Sequence, residues 1–193
     1  MLGCYPPGRS ARRTDLLPDV RLFDRRVARD TRGFFSELWR HAEALAAGLP
    51  SFVQDNVAKS GRGVVRGLHF QHPNAQAKLV SVPYGEVFDV VVDVRLGSPT
   101  FARWCSYTLS EENGRQLFVP PGFAHGYQTT SETSVVVYKC SAYYAPEHER
   151  TVRWNDPELA IPWPIADAIA SVRDAAARPL GELPADWLPH LDG

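Results

Sequence analysis

The stretch Val64-Val65-Arg66-Gly67-Leu68-His69-Phe70-Gln71 decides how the rest of the chain is read. It is β-branched and aromatic with a glycine inside, the composition of a strand. Strand residues two apart share a face, so His69 and Gln71 point the same way. Arg66 points opposite, unless Gly67 marks a bulge that re-aims it. Three polar side chains in an apolar strand need partners or a task, because burying a polar group unpaired costs about 1–3 kcal/mol.

The same pattern continues on both sides. Upstream, residues 20–28 alternate apolar with polar, Asp30-Thr31-Arg32-Gly33 reads as a turn, and 34–39 and 52–58 read as strands. Between them 41–47 predicts a short helix that Gly48 ends. Downstream come strands at 78–82, 87–94, 102–109, 116–119, 126–129 and 134–140, separated by Gly and Pro turns. Two acids, Asp89 and Asp93, sit inside the run Val87-Phe88-Asp89-Val90-Val91-Val92-Asp93-Val94. From residue 144 on the chain reads as irregular, with one helical piece near 165–176. About nine or ten short strands predict an all-β sandwich or barrel. The 193 residues predict a single domain over 1–193, with a loose arm rich in Pro, Gly and Arg at 1–18.

Composition excludes some classes. A net charge of −1 gives no polyanion-binding surface, so neither nucleic acid nor membrane is expected as a partner. A local basic site for a small phosphorylated ligand stays open. Cys4, Cys105 and Cys140 form no disulfide framework or CxxC pair, which suits a reducing compartment. No apolar run reaches about 18 residues, and residues 1–13 lack an apolar signal core. A cytoplasmic protein is the expectation.

Two spacings carry chemistry. Gly63 is followed by five residues and then His69. Gly114 is followed by five residues and then Pro120-x-Gly122-x-x-His125. These resemble the two motifs of the cupin superfamily, a jelly-roll β-barrel. A metal-binding cupin has His-x-His followed by Glu, plus the histidine of the second motif. Here Gln71 and Lys78 stand at two of those four positions, and a lysine is a poor ligand for a divalent metal. The expectation is a site with no metal. A histidine and a cation in a barrel mouth suit proton abstraction beside a carbonyl, with the cation or another donor stabilising the enolate oxygen.

From about Leu22 to about Leu183 the chain resembles the dTDP-4-dehydrorhamnose 3,5-epimerase family. The blocks are Asp30-x-Arg32-Gly33-Phe34-Phe35-x-Glu37, Gln54-Asp55-Asn56, Val65 to Gln71, Gln76-x-Lys78-Leu79-Val80, Gly85-Glu86-Val87-x-Asp89-Val90, Val119 to Gly126, Tyr138-Lys139-Cys140-x-x-Tyr143-Tyr144, Arg153 to Pro157 and Trp163-Pro164. The resemblance implies epimerisation of a dTDP-4-keto-6-deoxyhexose at C3 and C5, both α to the C4 ketone, with no cofactor. It implies His69 as general base, Tyr138 as the acid on the opposite face, Lys78 near the enolate oxygen and Asp174 as partner of the histidine. Asp89 is the competing partner of His69, and Asp167 is a neighbour that competes with Asp174. For substrate binding it implies Gln54, Asn56, His125 and Glu149, with Arg66 toward the diphosphate and Tyr144 stacked on the thymine. Arg32 and Glu37 belong to a segment that reaches the neighbouring subunit's site in a homodimer. Relatives that invert only C3 or only C5 share nearly the same residues. A metal-dependent cupin and a non-catalytic sugar-nucleotide binder are the other readings. Without the resemblance His69 reads as a structural histidine, Tyr138 as a tethered core aromatic and Lys78 as an edge-strand lysine.

Overall fold

The computed structural model describes the backbone of residues 11–13 and the whole of residues 16–191. Thirteen strands run in the described chain: β1 Ala11–Arg13, β2 Arg21–Asp24, β3 Ala28–Asp30, β4 Gly33–Phe35, β5 Gln54–Gly61, β6 Val65–Gln71, β7 Lys78–Tyr84, β8 Glu86–Asp93, β9 Trp104–Ser110, β10 Arg115–Val119, β11 Phe123–Thr129, β12 Thr133–Cys140 and β13 Glu149–Thr151. Helices α1 His41–Ala46 and α2 Val172–Ala175 are short. One six-stranded sheet has the order β1-β2-β10-β7-β12-β5, and a five-stranded sheet has the order β13-β6-β11-β8-β9. β3 and β4 form a separate hairpin.

The period-2 pattern explains how the two sheets meet. Val80 and Val82 of β7, Val87 and Val91 of β8, Leu117 and Val119 of β10, and Val136 of β12 share one buried cluster between the sheets. In β8 the alternate residues Val90 and Val92 join Leu68, Phe70 and Ala124 in a second cluster beneath Leu159, Ile161, Leu180, Leu183 and Leu188. The C-terminal tail thus covers the outer face of the five-stranded sheet. That is why β8 is a near-continuous apolar run, and each aliphatic residue so buried stabilises the fold by about 1.5–3 kcal/mol. A third cluster packs Ala44 and Leu49, from α1 and just beyond it, on Phe23, Leu79 and Phe118 of the six-stranded sheet.

Several expected elements differ in extent. The strand at 34–39 pairs only as Gly33–Phe35, because its antiparallel hairpin partner begins at Ala28, opposite Phe35. The helical piece near 165–176 contracts to Val172–Ala175, with Ser171 as N-cap accepting from the Asp174 amide. Of the arm at 1–18, residues 1–10, 14 and 15 lie outside the described residues; Ala11–Arg13 pairs with β2 and Leu17 is fully buried, so its described parts are tied to the barrel. Cys105 and Cys140 are free thiols, and Cys4 lies outside the described residues. Among the described residues no helix is long and apolar enough to cross a membrane.

Candidate active site

The opening strand is broken at Gly67. His69 pairs with His125 and Arg66 with Tyr127, so β6 spends three residues where β11 spends two. This is a bulge, and it puts Arg66 and His69 on one face while Leu68 and Phe70 turn into the outer cluster. Gly67 has φ +135°, and a Cβ there would meet Gly126 Cα at 2.5 Å and the His125 carbonyl at 2.9 Å. Only glycine fits that approach.

Arg66 and His69 open into a cleft of about 520 Å³ lined by both sheets. The five-stranded sheet contributes Arg66, His69, His125, Tyr127 and Glu149 to its wall, and the six-stranded sheet contributes Ala58, Lys78 and Tyr138. A recess of about 80 Å³ adjoins it, lined by Gln54, Asn56, Lys78, Tyr138 and Cys140 among others. His69 and Tyr138 therefore project from opposite sheets into one space.

The third wall is the tail. Ile169 N donates to Gly63 O at 2.9 Å, and Ile169 O accepts from Val65 N at 2.9 Å. The buried Gln128 side chain clamps Ile165 through both its amide atoms, at 2.8 and 2.9 Å. These bonds bring Asp174 to His69, whose Nε2 lies 2.7 Å from Asp174 Oδ1. A carboxylate only accepts, so Nε2 carries the proton and Nδ1 is left as the basic nitrogen. Burial would raise the Asp174 carboxyl, but hydrogen bonds from His69, the Gly67 amide and Ser171, with the histidine's charge, hold it below its usual range. Asp167 is exposed at the surface of the tail.

Asp89, the competing partner, is taken elsewhere. Both its oxygens lie 2.9 Å from His125 Nε2. The pair is almost completely buried, and that burial pushes the Asp89 carboxyl up against the pull of His125 and Lys78. Asp89 faces the interior because it alternates with Val90 and Val92, which face the tail. Lys78 Nζ donates to the His69 carbonyl at 3.2 Å. Burial lowers its pKa, opposed by Cys140, Glu149 and Asp89. Burial, with Cys140 and Tyr127 nearby, pushes the Tyr138 hydroxyl up to about 12.

Gln71 ties the loop after its own strand to the loop after β12, donating to the Asn74 carbonyl at 2.9 Å and accepting from the Ala145 amide at 2.9 Å. The position where a cupin would place a second histidine thus serves the backbone. Among the described residues no three His, Cys, Asp or Glu side chains gather around a point that could hold a metal ion.

The rim is polar. Tyr144 Oη donates to Glu149 Oε2 at 2.6 Å, and Arg173 Nη1 donates to the same oxygen at 2.5 Å. Burial would raise the Glu149 carboxyl, but Arg173, Tyr144 and the charge of His69 bring it below its ordinary value. Gln54 accepts from the Tyr144 amide at 2.9 Å and donates to Asn56 at 3.0 Å. Arg32 and Glu37 are not part of this cleft within one chain. Arg32 is held by Asp30 on the β3–β4 hairpin and Glu37 by Arg40, both at the surface. Tyr127 and Arg173 line the cleft and were not singled out as site residues from the sequence. Tyr127 follows His125 by two in a strand, so the same period-2 rule places it on the same face.

Residues 14–182 match the family model described as dTDP-4-dehydrorhamnose 3,5-epimerase. The chain is 51% identical over 176 residues to the dTDP-4-dehydrorhamnose 3,5-epimerase of Pseudomonas aeruginosa, covering 90% of this chain and 96% of that protein. Its fold superposes with a TM-score of 0.92 on a dTDP-6-deoxy-D-glucose-3,5-epimerase from Legionella pneumophila solved with dTDP-4-keto-L-rhamnose, at 42% identity over 96% of this chain and 100% of that one. A 3′-monoepimerase from Streptomyces bikiniensis, solved with dTDP-quinovose, matches at 33% identity and a TM-score of 0.83, covering 92% of each chain. The cupin-type jelly roll expected from the two glycine–histidine spacings is the fold of the chain.

Proposed function

The chain belongs to the dTDP-4-dehydrorhamnose 3,5-epimerase family, and from that premise we propose that it inverts C3 and C5 of a dTDP-4-keto-6-deoxyhexose through enolates. The observation that carries the mechanism is the placement of the His69–Asp174 pair and Tyr138 on opposite walls of one cleft. The C4 ketone acidifies the C–H bonds at C3 and C5. His69 Nδ1 takes the proton, and Asp174 holds the ring and stabilises the imidazolium that forms. Lys78 supplies positive charge to the enolate oxygen. Tyr138, kept neutral by burial, gives a proton to the opposite face of the carbon. The imidazolium then loses its proton to solvent and the phenolate takes one up, so solvent hydrogen enters the product.

Binding follows from the rim. Arg66, which lines the cleft, takes the diphosphate in this reading, since a guanidinium fork can grip it with two hydrogen bonds. The half-exposed Tyr144 ring offers a stacking face for thymine, with Glu149 holding its hydroxyl. Gln54, Asn56 and His125 complete the wall. Arg32 and Glu37 serve the site of a second copy in a homodimer. The β3–β4 hairpin that carries Arg32 also exposes Phe34 and Phe35, as an element that packs on another chain would.

The test is proton NMR of dTDP-4-keto-6-deoxyglucose in D₂O with the purified chain. Deuterium at C3 and C5 with inversion of both is the expected result; no exchange at either carbon overturns the reading. A second reading, inversion at C3 alone, is favoured by the similarity to the monoepimerase. It predicts a product inverted at C3 that retains its C5 configuration.

A further inference from the structure

The strap that brings Asp174 to His69 has almost nothing apolar to hold it there. Trp163 before it and Leu180 after it pack on the outer cluster. Among the described residues from 164 to 179, Asp174 alone is buried. Ile169 is 59% exposed and Val172 90%. A segment with so little apolar burial opens at low cost unless polar bonds restrain it. Arg153 fixes its far end, with its amide on the Arg178 carbonyl at 2.8 Å and Nε on the Ala177 carbonyl at 2.9 Å. Nearer Asp174 the restraints are the backbone bonds of Ile169, the Arg173–Glu149 pair and the Gln128 clamp on Ile165.

These restraints are unequal. The Arg173 side chain is half exposed, and an exposed ion pair adds little. The bonds of Ile169 lie beneath a residue mostly open to water. Gln128 is fully buried, and both ends of its carboxamide are spent on Ile165. Opening the strap would strand that buried carboxamide, which costs more than losing a bond that water can replace. In the ladder Gln128 also stands opposite Val65, whose amide holds the Ile169 carbonyl, so clamp and backbone bridge grip the strap over the same two strands. Resting on the reading that Asp174 makes His69 a base, we infer that Gln128 is a positioning residue of the reaction: its clamp keeps the strap closed, and the closed strap keeps Asp174 on His69. Gln128 does not line the cleft, so it acts on the chemistry only through the strap.

The experiment uses Gln128→Met, which keeps the volume and removes both bonds, alone and combined with Asp174→Asn. Single-turnover deuterium exchange into dTDP-4-keto-6-deoxyglucose should fall by about five- to thirtyfold in Gln128→Met. In the Asp174→Asn background the same change should cost less than about twofold more. Proton NMR supplies a readout that a merely structural glutamine would not move. The His69 Nε2 proton, held on Asp174, should broaden by exchange with water in Gln128→Met, while the His125 Nε2 proton, held on Asp89, stays as in the wild type. A variant that only melts earlier, with the His69 signal and the rate per folded molecule unchanged, overturns the inference. An equal loss of rate with and without the Asp174 carboxylate also overturns it. Ile165→Pro removes the clamped amide from the strap side, outside both sheets, and keeps the test open if Gln128→Met does not fold. It should show a smaller loss of rate with the same broadening, and wild-type behaviour there overturns the inference. If Asp174→Asn itself exchanges like the wild type, the reading of the His69–Asp174 pair fails and takes this inference with it.

Discussion

Replacing Asp174 by Asn tests the pair at the centre of the mechanism. The substitution keeps volume and removes one charge. Asp174 is almost fully buried, and its Oδ1 lies 2.7 Å from His69 Nε2, the short distance of a charge-assisted bond. Such a bond is worth about 1.5–3 kcal/mol. Its full weight is felt only when His69 has taken the substrate proton and become an imidazolium, so the loss falls on the transition state. That converts to a rate reduction of about ten- to a hundredfold. The amide also presents either an acceptor or a donor to Nε2. In the donor orientation the ring proton moves to Nδ1, and the base is lost altogether. The assay is single-turnover deuterium exchange at C3 and C5 followed by NMR, with a melting curve of each variant as a control for folding. Exchange within about twofold of the wild type, in a variant that melts normally, would refute the assignment of Asp174 as the group that makes His69 a base.

Tyr138→Phe should leave exchange at the first carbon within a few-fold of wild type and block inversion, because removal uses His69 and delivery uses the phenol; equal loss of both, followed by the same NMR assay, would count against the division of labour. Burial pushes the Tyr138 hydroxyl up to about 12, so the neutral, proton-donating form persists as pH rises, and activity should show no loss from this group up to about pH 10 in an initial-rate profile. Exhaustive chelation should not change the rate: Asp174 and Asp89 hold His69 and His125, Gln71 holds backbone, and Lys78 occupies the fourth position. Dialysis against chelator followed by assay checks this, and activity restored only by added metal would contradict it. Gly67→Ala should lower the melting temperature by about 5–15 °C, since a Cβ at φ +135° would sit 2.5 Å from Gly126 Cα and cost several kcal/mol in a chain of this size; a melt within about 2 °C of wild type would mean the bulge yields easily.

Much of the barrel was legible because alternation and turn residues act locally. The runs at 78–82, 116–119 and 134–140 fall inside β7, β10 and β12. Elements that depend on a distant partner were not. β13 is three residues long and exists because it pairs with β6. The helix near 165–176 shrank to four residues, since the rest of that segment is tied to Gly63, Val65 and Gln128 instead of to its own backbone.

The candidate site divides the same way. Sequence by itself determined that His69 and Gln71 share a face, that Gln71 and Lys78 replace two would-be metal ligands, and that Gly67 was the place where the alternation could break. Tertiary structure alone decided that it does break there, turning Arg66 toward His69. It also decided that the partner of His69 is Asp174, 105 residues away, while Asp89 goes to His125. The reason is physical. Periodicity records which way a side chain points along its own strand, a local consequence of backbone geometry. Which carboxylate arrives opposite it depends on how a covering tail and a second sheet pack, and those contacts leave no period in the chain.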